Sequence, residues 1–165
     1  GGRTWDIRMG DGHAPEHATF WSRDDNLVIG GVQLLASISP NLGVYPTEPN
    51  ADPVTDWLRS CEGFQALAKP DHLVLCGHKL PFTGLPTRLG QLIDNHHGAL
   101  ARLLDHLGAP RSAGECFMPL FKRQISGGEY GLALVEAVAH LNHLHQAGLV
   151  SRTLRADGAW GFQAR

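Results

Sequence analysis

The sequence predicts an α/β fold that ends in a small segment of helices and a hairpin. Three observations support this: short apolar runs bounded by turn residues, longer runs with helical periodicity, and a change of pattern after Pro110. Strands are predicted at residues 4–9, 18–22, 27–29 and 71–76, with a polar turn, Arg-Asp-Asp-Asn, between the second and the third. The first part of the chain is therefore expected to be of the α/β type.

Two amphipathic helices are also predicted in this part of the chain. Asp52-Pro53 indicates a helix start, because Asp caps a first turn and Pro suits the first helical position. Apolar residues then recur at helical spacing as far as Leu67, and Trp57 is expected in the core. A second helix is predicted from Leu85 to Leu107. The stretch from Ser39 to Pro53 has four prolines and little periodicity, and a loop of that length is often functional.

The last third of the chain has a different organisation. Ser112 to Glu115 has the pattern of a capping box, and a helix is predicted from Glu129 to Ala147. Two short strands around Ala156-Asp157-Gly158 then predict a hairpin. Helix, helix and hairpin is the order of a winged helix. We therefore divide the chain into residues 1–108, an α/β part, and residues 109–165, a winged-helix-like part.

Composition argues against two kinds of partner. The net charge is −2, from 14 basic and 16 acidic residues, so no general attraction to nucleic acid or anionic membranes is expected. The predicted helix contains neither Lys nor Arg between residues 131 and 147, which is unlike a DNA-recognition helix. No apolar run approaches the roughly 20 residues of a membrane span. Three cysteines argue against a disulfide framework and favour a reducing compartment, so a cytoplasmic location is expected.

Three short motifs could contribute to a functional site. Residues 12–17, Gly-His-Ala-Pro-Glu-His, place two histidines four apart in a loop before a strand. Gly77-His78 follows a buried strand, where a side chain is held rigidly. Gly30-Gly31 ends another strand and is followed by Val32, which can neither bind a metal nor transfer a proton. Each motif alone is equally compatible with ordinary loop residues.

Taken together, these motifs resemble the metallo-β-lactamase-fold hydrolases. In that family, a metal-binding His, a bridging Asp after a Gly and a last His after a strand occur in this order, and the corresponding positions here are His13, Val32 and His78. Residues 38–49 and 77–84 also resemble one bacterial branch of the family. The resemblance implies half of an αββα sandwich followed by the winged-helix-like tail. It also implies zinc as cofactor and hydrolysis of an ester, thioester or amide by metal-bound hydroxide.

Two departures from the family pattern limit that inference. The sequence lacks the motif His-x-His-x-Asp-His, which supplies most of the family's metal ligands. The bridging carboxylate is replaced by Val32, so the charge that would hold two cations together is absent. Only His13 and His78 remain as metal ligands, and no catalytic residue is assigned. The chain as it stands is expected to be inactive, or alternatively to be a non-enzymatic half-domain that acts as a binding or structural module.

Several other polar residues have weaker claims. His17 and Glu48 are assigned to substrate contact or to the surroundings of the metal, although a surface position explains either residue as well. Asp11 could add a ligand, but a solvated carboxylate is the simpler interpretation. Cys76 lies two residues before His78 and is better explained as a small buried core residue.

Four helical histidines are also candidates. His140 and His143 lie on one helix face, which permits metal binding, and His96-His97 lies on the preceding long helix. Without a third ligand nearby, they are interpreted as packed or surface histidines.

The resemblance also predicts a partner. If the chain is half of a sandwich, one face of its sheet is apolar and exposed. This face is expected to be covered by the missing N-terminal half of the domain, by another chain, or by self-association.

Overall fold

The computed structural model describes residues 2–165, and the chain divides into two compact units. The first unit comprises residues up to Asn41 together with Thr55–Asp94, and the second comprises Leu42–Val54 together with Asn95–Arg165. The segment Leu42–Val54 thus groups with the second half of the chain although it lies within the first half of the sequence. The division at residue 108 that the sequence suggested stays a prediction.

The first unit is built on a four-stranded sheet. Its strands are β1 (Trp5–Gly10), β2 (His17–Ser22), β3 (Leu27–Gly31) and β4 (Leu73–Cys76), and they lie side by side in that order. The pairs β1–β2 and β2–β3 are antiparallel, whereas β3–β4 is parallel. All four predicted strands are confirmed to within two residues at each end. Parallel pairing brings the ends of β3 and β4 to the same edge of the sheet.

One face of this sheet is buried, because α1 (Pro53–Gln65) carries an apolar stripe at helical spacing. Trp21 of β2 stacks on Phe64 of α1 with ring centroids 5.9 Å apart. Val28 and Val74 on the neighbouring strands are fully buried on this face. Trp57 is likewise fully buried, which confirms its predicted place in the core.

The opposite face of the sheet is apolar and exposed. The register places Ile7 opposite Phe20, Phe20 opposite Ile29, and Ile29 opposite Leu75, so these side chains form one row across all four strands. Ile7, Ile29 and Leu75 are 53%, 38% and 36% exposed in the isolated chain. Large contiguous apolar surfaces are unusual on monomeric soluble proteins.

The second unit is mainly helical. The long helix α2 (Leu85–His106) contributes its residues from Asn95 onward, followed by α3 (Phe117–Phe121), α4 (Tyr130–Gln146) and the hairpin of β5 (Val150–Leu154) and β6 (Trp160–Ala164). The order of helices and hairpin is as predicted, and the winged-helix interpretation of it stays a prediction. Within residues 2–165, no helix has both the length and the apolar character needed to cross a membrane.

Turn chemistry fixes the ends of these elements. Ser112 and Glu115 form the predicted capping box, in which the Ser112 N–H donates to the Glu115 carboxylate at 2.7 Å, although it caps a 3-10 turn. This N–H, the Ser112 hydroxyl and the neighbouring Arg155 lower the pKa of Glu115 to about 2. Gly148 follows Ala147, the C-cap of α4, and has φ +75°, a conformation that ends a helix at low cost for glycine.

Candidate functional site

The first part of the site is the loop between β1 and β2, and hydrogen bonds hold this loop in a fixed shape. The Asp11 carboxylate accepts a hydrogen bond from the Glu16 N–H at 2.8 Å, and the Asp11 N–H donates to the Ser60 hydroxyl at 2.8 Å. Glu16 has φ 51°, a left-handed conformation that the Asp11 carboxylate stabilises. Asp11 is therefore a structural brace of this loop and not a freely solvated carboxylate.

His13 is oriented by the backbone. Its Nδ1 lies 2.8 Å from the Asn41 carbonyl oxygen, so Nδ1 carries the proton and donates it to that oxygen. The tautomer leaves Nε2 with a free lone pair. Metal-bound histidines are commonly held in this way, with the second ring nitrogen hydrogen-bonded to a carbonyl or carboxylate.

His17 lies beside His13 at the start of β2. The two ring centroids are 6.5 Å apart, and both side chains are half-buried. Burial, followed by the charge of neighbouring His13, lowers the pKa of His17, so this ring stays neutral at neutral pH. Its Nε2 faces Gly31, where an added Cβ would lie 2.5 Å away. The glycine, at φ +53°, thus makes room for the ring.

The end of β3 adjoins the end of β4. The Gly77 N–H donates to the Gly31 carbonyl at 2.7 Å, and a Cβ on Gly77 would lie 3.1 Å from a methyl group of Val32. Val32 therefore lies at the junction of the two strand ends, and exposed His78 lies two residues beyond the end of β4. The sheet topology places His17, Val32 and the turn that carries His78 at one edge of the first unit.

Cys76 has a different environment from the one expected. It is half-buried, and its thiol donates to the carbonyl oxygens of His78 and Leu80, at 3.1 and 3.2 Å. It thus stabilises the turn that carries His78 and does not belong to the buried core.

Gln33 is a residue of this region that the sequence did not single out. Its side chain is fully buried, and its Nε2 donates to the Asp11 carbonyl at 3.2 Å, while Oε1 has no hydrogen-bond partner among residues 2–165. A Cβ on Gly10 would lie 2.6 Å from the Gln33 amide, so glycine is needed there. The one signal in the sequence was the position of this glutamine, shortly after the glycine pair that ends β3.

The fit of a zinc ion can be tested against these donors. The His13 ring is oriented as a metal ligand requires, because Nδ1 donates to a carbonyl oxygen and Nε2 is free. However, residues 2–165 contain no group of three or more His, Cys, Asp or Glu side chains arranged to hold a metal. A zinc site needs about four ligands. The described residues therefore do not form a zinc site by themselves.

The other candidates belong to the second unit. Glu48 is exposed in the Leu42–Val54 segment, where its N–H donates to the Tyr45 carbonyl at 2.9 Å. His96 and His140 are both 1% exposed and in contact, with Nδ1 of His96 3.2 Å from Nε2 of His140. His143 lies 3.2 Å from the Asp52 carboxylate. These histidines are packed residues, as interpreted from the sequence, and their mutual contact was not foreseen.

Comparisons with known proteins define the class to which this fold belongs. Residues 100–165 match the family model described as "Metallo-beta-lactamase-like, C-terminal domain". The solved structure of a β-lactamase domain protein from Burkholderia ambifaria has a TM-score of 0.94 and 35% identity, over 100% of this chain and 49% of that chain. A metallo-β-lactamase family protein from Thermus thermophilus has a TM-score of 0.84 and 28% identity, over 99% of this chain and 50% of that chain.

The chain belongs to the metallo-β-lactamase-like superfamily. It spans about half the length of each of these two solved structures. A comparison with curated proteins found no match.

Proposed function

We propose that this chain contributes His13 and His78 to the zinc site of a metallo-β-lactamase-fold hydrolase, whose other ligands come from outside the described residues. The observation that carries the proposal is the sheet edge where His17, Val32 and His78 meet, beside the oriented ring of His13. The bound zinc would supply a nucleophilic hydroxide for an ester, thioester or amide substrate. With the residues of this chain alone, we expect little or no hydrolysis.

Each of the site residues has a distinct role in this proposal. The Asn41 carbonyl holds the His13 ring so that Nε2 is free, and the end of β4 positions His78. His17 stays neutral and faces Gly31, so we assign it to substrate contact or to the surroundings of the metal. Glu48 is proposed for a similar substrate-contacting role. Val32 cannot bridge two cations, which favours a site that holds fewer metal ions or holds them more weakly.

The exposed sheet face supports an incomplete site. Ile7, Ile29 and Leu75 lie in one exposed row, and the two solved structures are about twice as long as this chain. We propose that this face is covered by an N-terminal half of the domain or, without it, by self-association. No role in nucleic-acid or membrane binding is proposed. Cys61, Cys76 and Cys116 are free thiols, which favours a cytoplasmic location.

A zinc-binding experiment tests the proposal. Zinc content is measured for the 165-residue chain alone and for the chain combined with the half of the Burkholderia ambifaria protein that this chain does not match. We expect substoichiometric zinc and no hydrolysis for the chain alone, and stoichiometric zinc in the combination. His13→Ala and His78→Ala should each reduce the zinc content, whereas His106→Ala, which changes a histidine of the second unit, should not. Stoichiometric zinc retained in both His13→Ala and His78→Ala would contradict the proposal.

A second candidate function is a non-enzymatic module that binds a partner through the sheet face. It is favoured by Val32 and by the absence of a three-ligand group within residues 2–165. The variant Val32→Asp discriminates between the two. If the combination binds no zinc even with Asp at this position, the binding-module function is supported. If Val32→Asp raises the zinc content, the result supports the zinc-hydrolase function instead.

A further inference from the structure

The second unit contains a cavity of about 680 Å³ that none of the proposed metal-site residues line. One wall is α4, with Leu134, Val135 and Val138, and the hairpin contributes Trp160 and Phe162. The volume lies within the range of roughly 300–1,000 Å³ that is typical of small-molecule sites. Apolar side chains form most of the lining, so the cavity favours an apolar ligand group.

The opposite wall is the loop from Val44 to Asn50, and hydrogen bonds hold it in place. The Val44 N–H donates to the Val135 carbonyl at 3.2 Å. The buried amide of Asn142 donates to the carbonyls of Pro49 and Ala51, both at 3.0 Å. Because both donors of Asn142 are used on this loop, the wall is fixed before any ligand arrives. A preformed cavity avoids the entropic cost of ordering a loop on binding.

Among the described residues, Arg152 is the one charged residue that lines the cavity. Its guanidinium lies 4.7 Å from the centre of the Trp160 ring, and Nη1 donates to the Asn50 side-chain oxygen at 3.3 Å. Neighbouring Arg155 is paired with the carboxylates of Glu115 and Asp157 at 2.7 and 2.9 Å. Within residues 2–165, no carboxylate forms an ion pair with Arg152.

We propose that this cavity binds a medium-chain fatty acid, with its carboxylate on Arg152 and its aliphatic tail against α4 and Phe162. The planar guanidinium matches a carboxylate with two parallel hydrogen bonds. Trp160 and the Asn50 side chain hold the guanidinium at the wall of the cavity, so that its remaining donors are available to the anion. This site lies within the second unit and does not depend on the proposed zinc site.

The test uses the whole 165-residue chain with sodium decanoate, kept below the micellar concentration, in a buffer that contains EDTA to exclude metal. Isothermal titration and tryptophan fluorescence report binding, because Trp160 adjoins the proposed carboxylate position. We expect saturable 1:1 binding. Arg152→Met should weaken decanoate binding about tenfold or more, since a charged hydrogen-bonded pair is lost. Arg165→Met, which removes an exposed cation outside the cavity lining, should leave binding unchanged.

A blocking variant locates the ligand. Val138→Phe fills the cavity and should abolish binding, whereas Leu149→Phe, at an exposed position that does not line it, should not. Circular dichroism verifies the fold of each variant. The proposal is overturned if decanoate does not saturate, if 1-decanol binds as tightly as decanoate and Arg152→Met has no effect, or if folded Val138→Phe still binds. Self-association that Val138→Phe abolishes would overturn it in favour of a second copy of the chain.

Discussion

The contact between His96 and His140 is expected to make the second unit sensitive to acid. Nδ1 of His140 lies 2.9 Å from the Glu136 carbonyl and must donate to it, which leaves Nε2 as an acceptor. Nδ1 of His96 then donates to this Nε2 at 3.2 Å. The chain of hydrogen bonds therefore requires the His140 ring to be neutral, whereas burial disfavours a second proton on His96. A proton on Nε2 of His140 would point at the N–H of His96 and break the contact.

The pKa values give the direction of this effect. Burial, followed by the charges of His140, His97 and His143, lowers the pKa of His96 to about 3. Burial and the charge of His143 lower the pKa of His140 to about 4, against the opposing effects of the Glu136 carbonyl and Asp52. Because both values lie below the ordinary histidine value of 6.5, the unfolded chain binds protons first as the pH falls.

The free energy of unfolding should accordingly decrease between pH 7 and pH 5. Linkage gives a loss of about 2 kcal/mol for one of these histidines and up to about 4 kcal/mol for both, the lower figure holding if the two protons are coupled. The stability is fully present above pH 6.5 and is lost progressively as the pH falls toward the folded-state values of His140 and His96. Other groups that titrate in this range modify the absolute curve, so a comparison with variants is needed.

The assay is urea unfolding at pH 7 and pH 5, followed by circular dichroism at a concentration where the chain is monodisperse. The double variant His96→Leu/His140→Leu removes both titrations and should flatten the pH dependence by at least about 2 kcal/mol. His97→Gln, at an exposed position of the same helix, serves as the control and should leave most of the slope. An equal slope in the wild type and the double variant would refute the reasoning.

Three further predictions concern the stability of the fold, each measured by urea unfolding at pH 7. Leu103→Ala, at a fully buried position, should cost about 2–5 kcal/mol, whereas Leu80→Ala, 80% exposed, should change little. Asn142→Ala should cost about 1–3 kcal/mol because two loop carbonyls lose their donor, and an unchanged midpoint would show that water replaces it. Gly31→Ala should cost about 1–2 kcal/mol, since φ is +53° and a histidine ring occupies the Cβ position. Gly63→Ala in α1, where nothing obstructs a Cβ, should instead stabilise by about 0.5–1 kcal/mol.

The sequence predicted the elements well because each follows from local chemistry. Period-two and helical spacing located the strands and helices, and Ser112-x-x-Glu115 and Gly148 marked ends that the structure confirms. The sequence assigned His13, Val32 and His78 to one site, and this assignment stays a prediction. The structure places His17, which was given only a secondary role, against Gly31 at the end of β3. The antiparallel pairing of β2 with β3 and the parallel pairing of β3 with β4 together bring the start of β2 and the ends of β3 and β4 to a single edge.

Long-range polar contacts could not be predicted in the same way. Asn142 binds a loop more than 90 positions away along the chain, and no periodicity signals such a contact. His96 was visible as a polar residue on an apolar helix face, but its partner, His140, lies 44 positions further on. The grouping of Leu42–Val54 with the second unit likewise depends on these contacts and not on any composition shift.

The first unit presents several groups that its own residues leave uncovered. In the second unit, by comparison, the buried amide of Asn142 donates to two loop carbonyls, and Nδ1 of His96 is paired with Nε2 of His140. In the first unit, the buried Oε1 of Gln33 has no hydrogen-bond partner among residues 2–165, and a row of apolar side chains is exposed. The free Nε2 of His13 is not part of any group of three or more possible metal ligands among the described residues. A buried orphan acceptor and an exposed apolar face each cost stability. One additional layer of protein against this sheet would bury the face and add polar donors together, which is why we propose that the small donor set and the exposed face have the same cause.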